Sequence, residues 1–260
     1  MKRKSVKKGI AVALAATMTG GVLPAASVTA ADTEPELLAE FDFDSQASDG
    51  VITGTNAAAK VNGNCQIKTK VGDNTALYLD GGQNYLEVTG EDGSSLLKGQ
   101  DEVTISFDTK AERIGTNWLY YAAPDTRTQK YNSEQYLGVM QQNGKVKSER
   151  YKNSGSRPAS PQAETGSDWS HVDVVVSENA TSVYVNGEKK AEEASDISLQ
   201  DIVGDDGVFY IGKANWGSGE YSKAWIDNFR VYGGVLSDEA IVKEYEESAS
   251  ELETSDIQEA

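Results

Sequence analysis

The stretch Ala224-Trp225-Ile226-Asp227-Asn228-Phe229-Arg230-Val231-Tyr232, followed at once by Leu236-Ser237-Asp238-Glu239, decides the fold class of this chain. Successive side chains of a strand point to opposite faces, so strict alternation sets Trp225, Asp227, Phe229 and Val231 on one face. Three of these four are large and apolar, which directs that face toward a core. Asp227 is then a carboxylate in or beside a core, a costly position unless a cation or hydrogen-bond donors meet it. It points to a structural metal or a tight polar corner, and the segment reads as the closing strand of a β-sandwich.

Short alternating runs extend this pattern toward the N-terminus. They fall at 37–43, 76–79, 85–88, 103–110, 118–122, 135–140, 145–151, 169–177, 181–185 and 208–211. Asn62-Gly63, Asn143-Gly144 and Asn186-Gly187 lie between runs. Asn-Gly is the strongest short hairpin signal, because the positive φ of both residues matches strand twist. The expected fold is all-β, an antiparallel jelly-roll sandwich over 37–236 with one short C-terminal helix. Ser237 caps that helix, Asp238 and Glu239 suit its first turn, and Ile241, Val242 and Tyr245 give it an apolar face. From Glu246 to Ala260 the composition is acidic and Ser/Glu-rich, so that 237–260 reads as a short helix and an acidic tail or linker.

Residues 1–30 read as a cleaved secretory signal. A basic start (Lys2, Arg3, Lys4, Lys7, Lys8) precedes a short apolar core from Ile10 to Met18 and small residues up to Ala30. Residues 31–36 are a short linker. No later stretch is apolar enough for a membrane span, so a secreted, extracellular protein is expected. Loss of the leader takes the formal charge from −17 to about −22, which argues against nucleic acid as a partner. One cysteine, Cys65, allows no internal disulfide, so core packing carries the stability. A buried, small apolar role is expected for it.

Four ordered segments carry a family resemblance. They are Ala76–Gly81 with Tyr85–Val88; Val103–Phe107; Trp169–Val174 with Tyr184–Gly187; and Tyr210–Gly212 with Ile226–Tyr232 and Leu236-Ser237. Together they resemble the laminin-G-like modules of the concanavalin A-like lectin/glucanase superfamily found in secreted bacterial proteins. Thr116–Asp125, Glu149-Arg150-Tyr151 and Gly212–Gly219 look like modules attached to family 43 glycoside hydrolases that degrade arabinan or xylan. The resemblance implies an accessory module. The catalytic propeller of those enzymes has no counterpart among these 260 residues. In related sandwiches the first and last strands lie side by side and can hold a structural ion. Calcium bound by Asp42, Asp44 and Asp227 is therefore an open expectation.

Sugar binding on a sandwich needs aromatic faces for the apolar side of the ring and planar polar groups for its hydroxyls. The candidates are Trp118, Arg150, Tyr151, Asn153, Arg157, Asn215, Trp216 and Tyr221, with Tyr120 expected on the face of Trp118. Trp118 and Tyr151 read equally well as core aromatics. Glu40, Asp42 and Asp44 share a face in an alternating strand and raise a glycosidase reading. Their place in an opening strand favours a solvated face instead. His171, the only histidine, excludes a histidine zinc cluster and reads as a satisfied structural residue.

The function expected is secreted, non-catalytic binding of plant cell-wall-type poly- or oligosaccharide, accessory to a glycoside hydrolase. The first alternative is a structural or docking domain that packs on a catalytic partner without glycan affinity. A sandwich-type glycosidase is the last.

Overall fold

The structure is a computed structural model that describes residues 34–124, 135–152, 160–215 and 220–256. The stretch expected to be a leader and the candidates Asn153, Arg157 and Trp216 lie outside the described residues. In chain order the strands are β1 (Glu36–Phe41), β2 (Val51–Thr53), β3 (Ala57–Asn62), β4 (Gln66–Val71), β5 (Asn74–Asp80), β6 (Tyr85–Gly90), β7 (Val103–Ala111) and β8 (Asn117–Ala123). They continue as β9 (Tyr136–Gln142), β10 (Lys145–Tyr151), β11 (Gln162–Glu164), β12 (Ser170–Val176), β13 (Ala180–Val185), β14 (Glu188–Ala194), β15 (Val208–Ile211) and β16 (Lys223–Gly233). Helix α1 (Leu199–Val203) precedes β15, and α2 (Asp238–Asp256) ends the fold.

These strands form two antiparallel sheets. The first runs β14-β13-β12-β7-β16-β5-β4, with β1 also paired to β16, and the second runs β11-β10-β9-β8-β15-β6-β3-β2. The opening and closing strands do pair, from Glu36 opposite Gly233 to Phe41 opposite Phe229. Between the sheets, Leu77, Phe107, Val174, Ile226 and Phe229 meet Leu86, Leu119, Tyr120, Val139 and Phe209 in one core. Phe107 stacks on Phe229 with ring centroids 5.7 Å apart.

The decisive strand departs from strict alternation. Asp227 pairs with Asp108 and Arg230 with Ser106, so β16 carries one extra residue against β7. Asn228 takes it up at φ 46°, a left-handed conformation that Asn tolerates better than most residues. The bulge reverses the faces. Ala224 and Ile226 point inward before it and Phe229 and Val231 after it. Asp227 is therefore buried on the outer face of the first sheet, and the core reading of this carboxylate is corrected.

Two of the three Asn-Gly pairs close hairpins, β9–β10 and β13–β14, with φ of 54° and 74° at Asn143-Gly144 and 53° and 74° at Asn186-Gly187. Asn62-Gly63 does not. It joins β3 of the second sheet to β4 of the first, and only Gly63 has positive φ. Cys65 beside this crossover is half-buried against the core, and burial pushes its thiol up to about 12.

Helix α2 begins as expected. Ser237 Oγ accepts the Ala240 amide at 3.2 Å, and Ile241 packs with Val175, Tyr184 and Leu236. The helix then continues through the acidic stretch to Asp256. Three of its carboxylates have partners on the sheet: Asp238 accepts Tyr184 Oη at 2.6 Å, Glu244 is 2.7 Å from Arg230 Nη1, and Glu251 accepts Asn228 Nδ2 at 2.8 Å.

Candidate functional site

The outer face of the second sheet carries a tier of aromatic rings. Trp118 and Tyr121 (β8), Tyr136 and Met140 (β9), Tyr151 (β10), and Val208 and Tyr210 (β15) form one cluster, with Tyr85 of β6 at its edge. Tyr121 stacks on Tyr136 at 5.1 Å. Trp118 meets Tyr136 edge-on at 5.9 Å, and Tyr151 meets it at 4.9 Å. Gly138 of β9 makes room, since a Cβ there would lie 2.8 Å from the Trp118 ring. Geometries of this kind add stabilisation beyond simple area burial.

A bulge between Trp118 and Tyr120 in β8 decides which rings belong here. It sends Tyr120 into the core, stacked on Phe209 at 5.6 Å, while Trp118 faces outward. The two do not share a face.

Most of the tier is closed to solvent: Trp118 is 3% exposed and Tyr151 7%. Its accessible margin is Tyr85, Tyr221 and Lys213, all half-buried, and Asn215, also half-buried, follows Ala214 of the cluster in the chain. Tyr85 lies 6.3 Å from Tyr221 and 5.5 Å from Tyr210. Lys213 Nζ sits 4.5 Å from the Tyr85 ring centre and 4.2 Å from that of Tyr210, and burial lowers its pKa. Polar groups are interleaved with the rings. Trp118 Nε1 donates to Glu220. Tyr136 Oη donates to Glu149 at 2.6 Å, and Lys147 pairs with the same carboxylate.

The structure thus gathers Trp118, Tyr151, Tyr221 and Asn215 along one sheet face. Arg150 is not among them. It is fully buried, and its guanidinium donates to the carbonyls of Ser177 (2.9 Å), Ala180 (3.3 Å) and Ile197. Alternation along β10 points it away from Tyr151, so Arg150 ties strand ends together and its assignment as a ligand contact is corrected. Tyr85, Tyr121, Tyr136, Tyr210 and Lys213 were missed by sequence reasoning. Alternation in Tyr85-Leu86-Glu87-Val88 and Val208-Phe209-Tyr210-Ile211 could have flagged two of them.

The three aspartates expected around calcium do not converge. Asp42 and Asp44 are exposed; Asp42 accepts the Asp44 amide at 3.1 Å, and Asp44 lies 3.5 Å from Thr75 Oγ1. Asp227 faces the Lys70 ammonium at 2.8 Å. A cation already stands where the ion would have to be, so these residues do not fit calcium. Among the described residues no cluster of three or more His, Cys, Asp or Glu side chains is arranged to hold a metal. Glu40 does not form a paired-acid centre either. It lies 2.9 Å from Arg230 Nε, and the chain turns at Phe43 with φ 52°.

The outer face of the first sheet is charged under α2. Asp108 accepts Ser248 Oγ at 2.6 Å and Asn228 Nδ2 at 3.1 Å. It also lies 2.8 Å from His171 Nδ1 and 3.2 Å from Lys70 Nζ. Burial would push the Asp108 carboxyl up, but His171 and Lys70 hold it down at about 2. Burial disfavours charge on His171, yet Asp173 and Asp108 raise it to about 10. Asp227 has only a share of Lys70, and burial lifts it to about 7. Ser106 Oγ lies 3.2 Å from His171 Nε2. A ring already protonated between two carboxylates cannot take the serine proton, and Ser106 is fully buried. This cluster is structural.

Two stacked antiparallel sheets with this strand order define a concanavalin A-like sandwich. A profile of the Laminin_G_3 family, described as the concanavalin A-like lectin/glucanases superfamily, matches residues 80–242, and the chain belongs to that family. Among solved structures it is similar to domain 4 of AbnA, a GH43 extracellular arabinanase from Geobacillus stearothermophilus, in complex with arabinotriose. The two are 18% identical with a TM-score of 0.57, covering 82% of this chain and all of that domain. It is also similar to the receptor binding domain of the botulinum neurotoxin C/D mosaic serotype, at 15% identity and a TM-score of 0.58, covering 81% of this chain and 51% of that one. The chain therefore spans about half the length of the toxin domain. At these identities the likeness establishes the fold. No curated protein matches the chain. No described helix is long and apolar enough to cross a membrane.

Proposed function

We propose that this protein is a secreted, non-catalytic carbohydrate-binding module for plant cell-wall-type polysaccharide, accessory to a glycoside hydrolase. One observation carries the reading: Tyr85, Tyr221 and Lys213, with Asn215 close by in the chain, form the accessible margin of a rigid aromatic tier on the outer face of the second sheet. Tyrosine rings offer apolar faces to a sugar ring, and the lysine and asparagine offer hydrogen bonds to its hydroxyls. The buried tier beneath holds these rings in place, which lowers the ordering cost of binding. The arabinanase domain, in complex with arabinotriose, supports an oligosaccharide as the ligand class.

Affinity electrophoresis against arabinan, xylan and β-glucan tests the reading. Retardation by at least one glycan, lost in Tyr85→Ala and Tyr221→Ala, is expected. Mobility unchanged in every glycan refutes it. A second reading is favoured by the closure of Trp118 and Tyr151 to solvent: the tier would then stiffen a domain that docks on a catalytic partner and binds no sugar.

A further inference from the structure

The first sheet has an aromatic feature of its own, unrelated to the tier on the second. Trp225 of β16 lies directly opposite Tyr78 of β5 and Lys110 of β7. Trp169, just before β12, continues the row. The Tyr78 and Trp225 rings are 4.7 Å apart and those of Trp225 and Trp169 6.4 Å. All three are half-buried, so a band of partly exposed rings crosses four neighbouring strands at about 4.8 Å per strand. Exposed aromatic surface that continuous marks an interaction site more often than chance packing.

Helix α2 lies over the charged rows next to the band. Tyr245, Ser248 and Ala249 of the helix close a cavity of about 230 Å³ together with Trp169, Ser170 and Asn186, and Asp108 and His171 also line it. Asn186 Oδ1 accepts the His171 amide, which leaves its Nδ2 as a donor at this cavity. The band thus ends at a pocket with an aromatic wall and polar groups, a combination suited to a sugar ring.

The charge around the band selects among sugars. Glu112 is engaged with the band itself, accepting Trp225 Nε1 at 2.7 Å and Tyr78 Oη at 3.1 Å, with Lys223 Nζ at 3.6 Å. Lys68 is exposed, with Nζ 3.6 Å from the Tyr78 ring centre, and forms no ion pair among the described residues. Lys110 pairs at 3.0 Å with Asp168, whose side chain is 81% exposed, a contact weak enough in water to exchange for another carboxylate. Two ammonium groups therefore flank the rings of a chain whose formal charge is −17: Lys68, whose charge also acts on Asp80, and Lys110, paired with Asp168. We infer that the band Tyr78–Trp225–Trp169, with Lys68 and Lys110, is a second glycan site, and that its ligand is a carboxylated polysaccharide of uronic acid residues. Ring faces stack on the tryptophans while carboxylates meet the lysines.

The test measures binding of the full chain to polygalacturonate, to its fully methyl-esterified form and to neutral arabinan. Polygalacturonate is expected to bind, with affinity falling at least tenfold between 50 and 300 mM salt as the charges are screened. Lys68→Gln with Lys110→Gln is expected to remove most of that affinity; both are surface changes that leave the fold intact. Trp169→Ala is expected to weaken it, and Tyr221→Ala to leave it unchanged. Equal binding of the esterified polymer, or full retention by the double lysine variant, overturns the inference. So does absence of polygalacturonate binding. Failure of arabinan alone counts against the site on the second sheet and leaves this one standing.

Discussion

The two outer faces of the sandwich solve one problem in opposite ways. Each carries large side chains that alternation places outside the core. The second sheet covers itself with its own rings, Tyr121 on Tyr136 and Trp118 against both. The first sheet sets acids and bases in rows, Asp227, Asp108 and His171, and lays α2 over them. One face is held chiefly by dispersion and aromatic geometry, which do not themselves depend on pH. The other is held by charge balance, which depends on pH and on every member being present. The first arrangement leaves an accessible margin of tyrosines, Tyr85 and Tyr221, at the edge of its own buried tier.

The largest effect is expected on the charged face. Asp108→Asn removes the carboxylate that Lys70 and His171 share, and should cost roughly 3–5 kcal/mol in urea unfolding. A loss under about 1 kcal/mol would mean that the cluster is solvated and α2 merely rests on it.

The same face predicts a pH profile. Asp227 and His171 are both raised on folding, from 3.8 to about 7 and from 6.5 to about 10. Their stabilising contributions are complete below the lower value of each pair and are lost as pH climbs to the upper one. Asp108 is lowered from 3.8 to about 2, so its contribution is complete above 3.8 and lost as pH falls to 2. Stability should therefore peak in mildly acidic solution and decline across neutrality toward pH 10. Thermal melts should show His171→Gln flattening the limb above pH 7; an unchanged alkaline limb would break the assignment.

On the aromatic face, Gly138→Ala forces a Cβ into the Trp118 ring and should cost roughly 1–3 kcal/mol. The measurement is again urea unfolding, and this cost should be the same at pH 5 and pH 9. A smaller change is expected at the margin. Tyr221→Ala should weaken glycan binding about tenfold, or about 1.4 kcal/mol, by calorimetric titration. The smallest is Ser237→Ala, which removes the cap of α2 and should lower stability by about 1 kcal/mol.

Much of the fold was legible in the sequence, because alternation and Asn-Gly turns are local signals. The runs at 145–151 and 208–211 match their strands to the residue. Legibility failed where local pattern and tertiary context disagree. Glu188–Ala194 reads as Glu, Lys and Ala, residues disfavoured in strands, yet it forms an edge strand because the Asn186-Gly187 turn delivers it to β13. Helix α2 runs on through an acidic stretch because Glu251 within it, and Glu244 just before it, meet Asn228 and Arg230, partners on the closing strand. The bulges at Trp118–Tyr120 and at Asn228 are single-residue insertions that alternation does not announce, and each moved a candidate residue to the opposite face. That is why Tyr120 was expected beside Trp118 and Asp227 was assigned to the wrong side of its sheet.

The most direct test of a binding module without a reaction centre is a single calorimetric titration of the protein with arabino-oligosaccharide, followed by assay of the same sample for new reducing ends. Saturable heat that disappears in the Tyr85→Ala, Tyr221→Ala double variant, with no reducing ends released, is the predicted result. Release of sugar, or no heat with any cell-wall oligosaccharide, would contradict it.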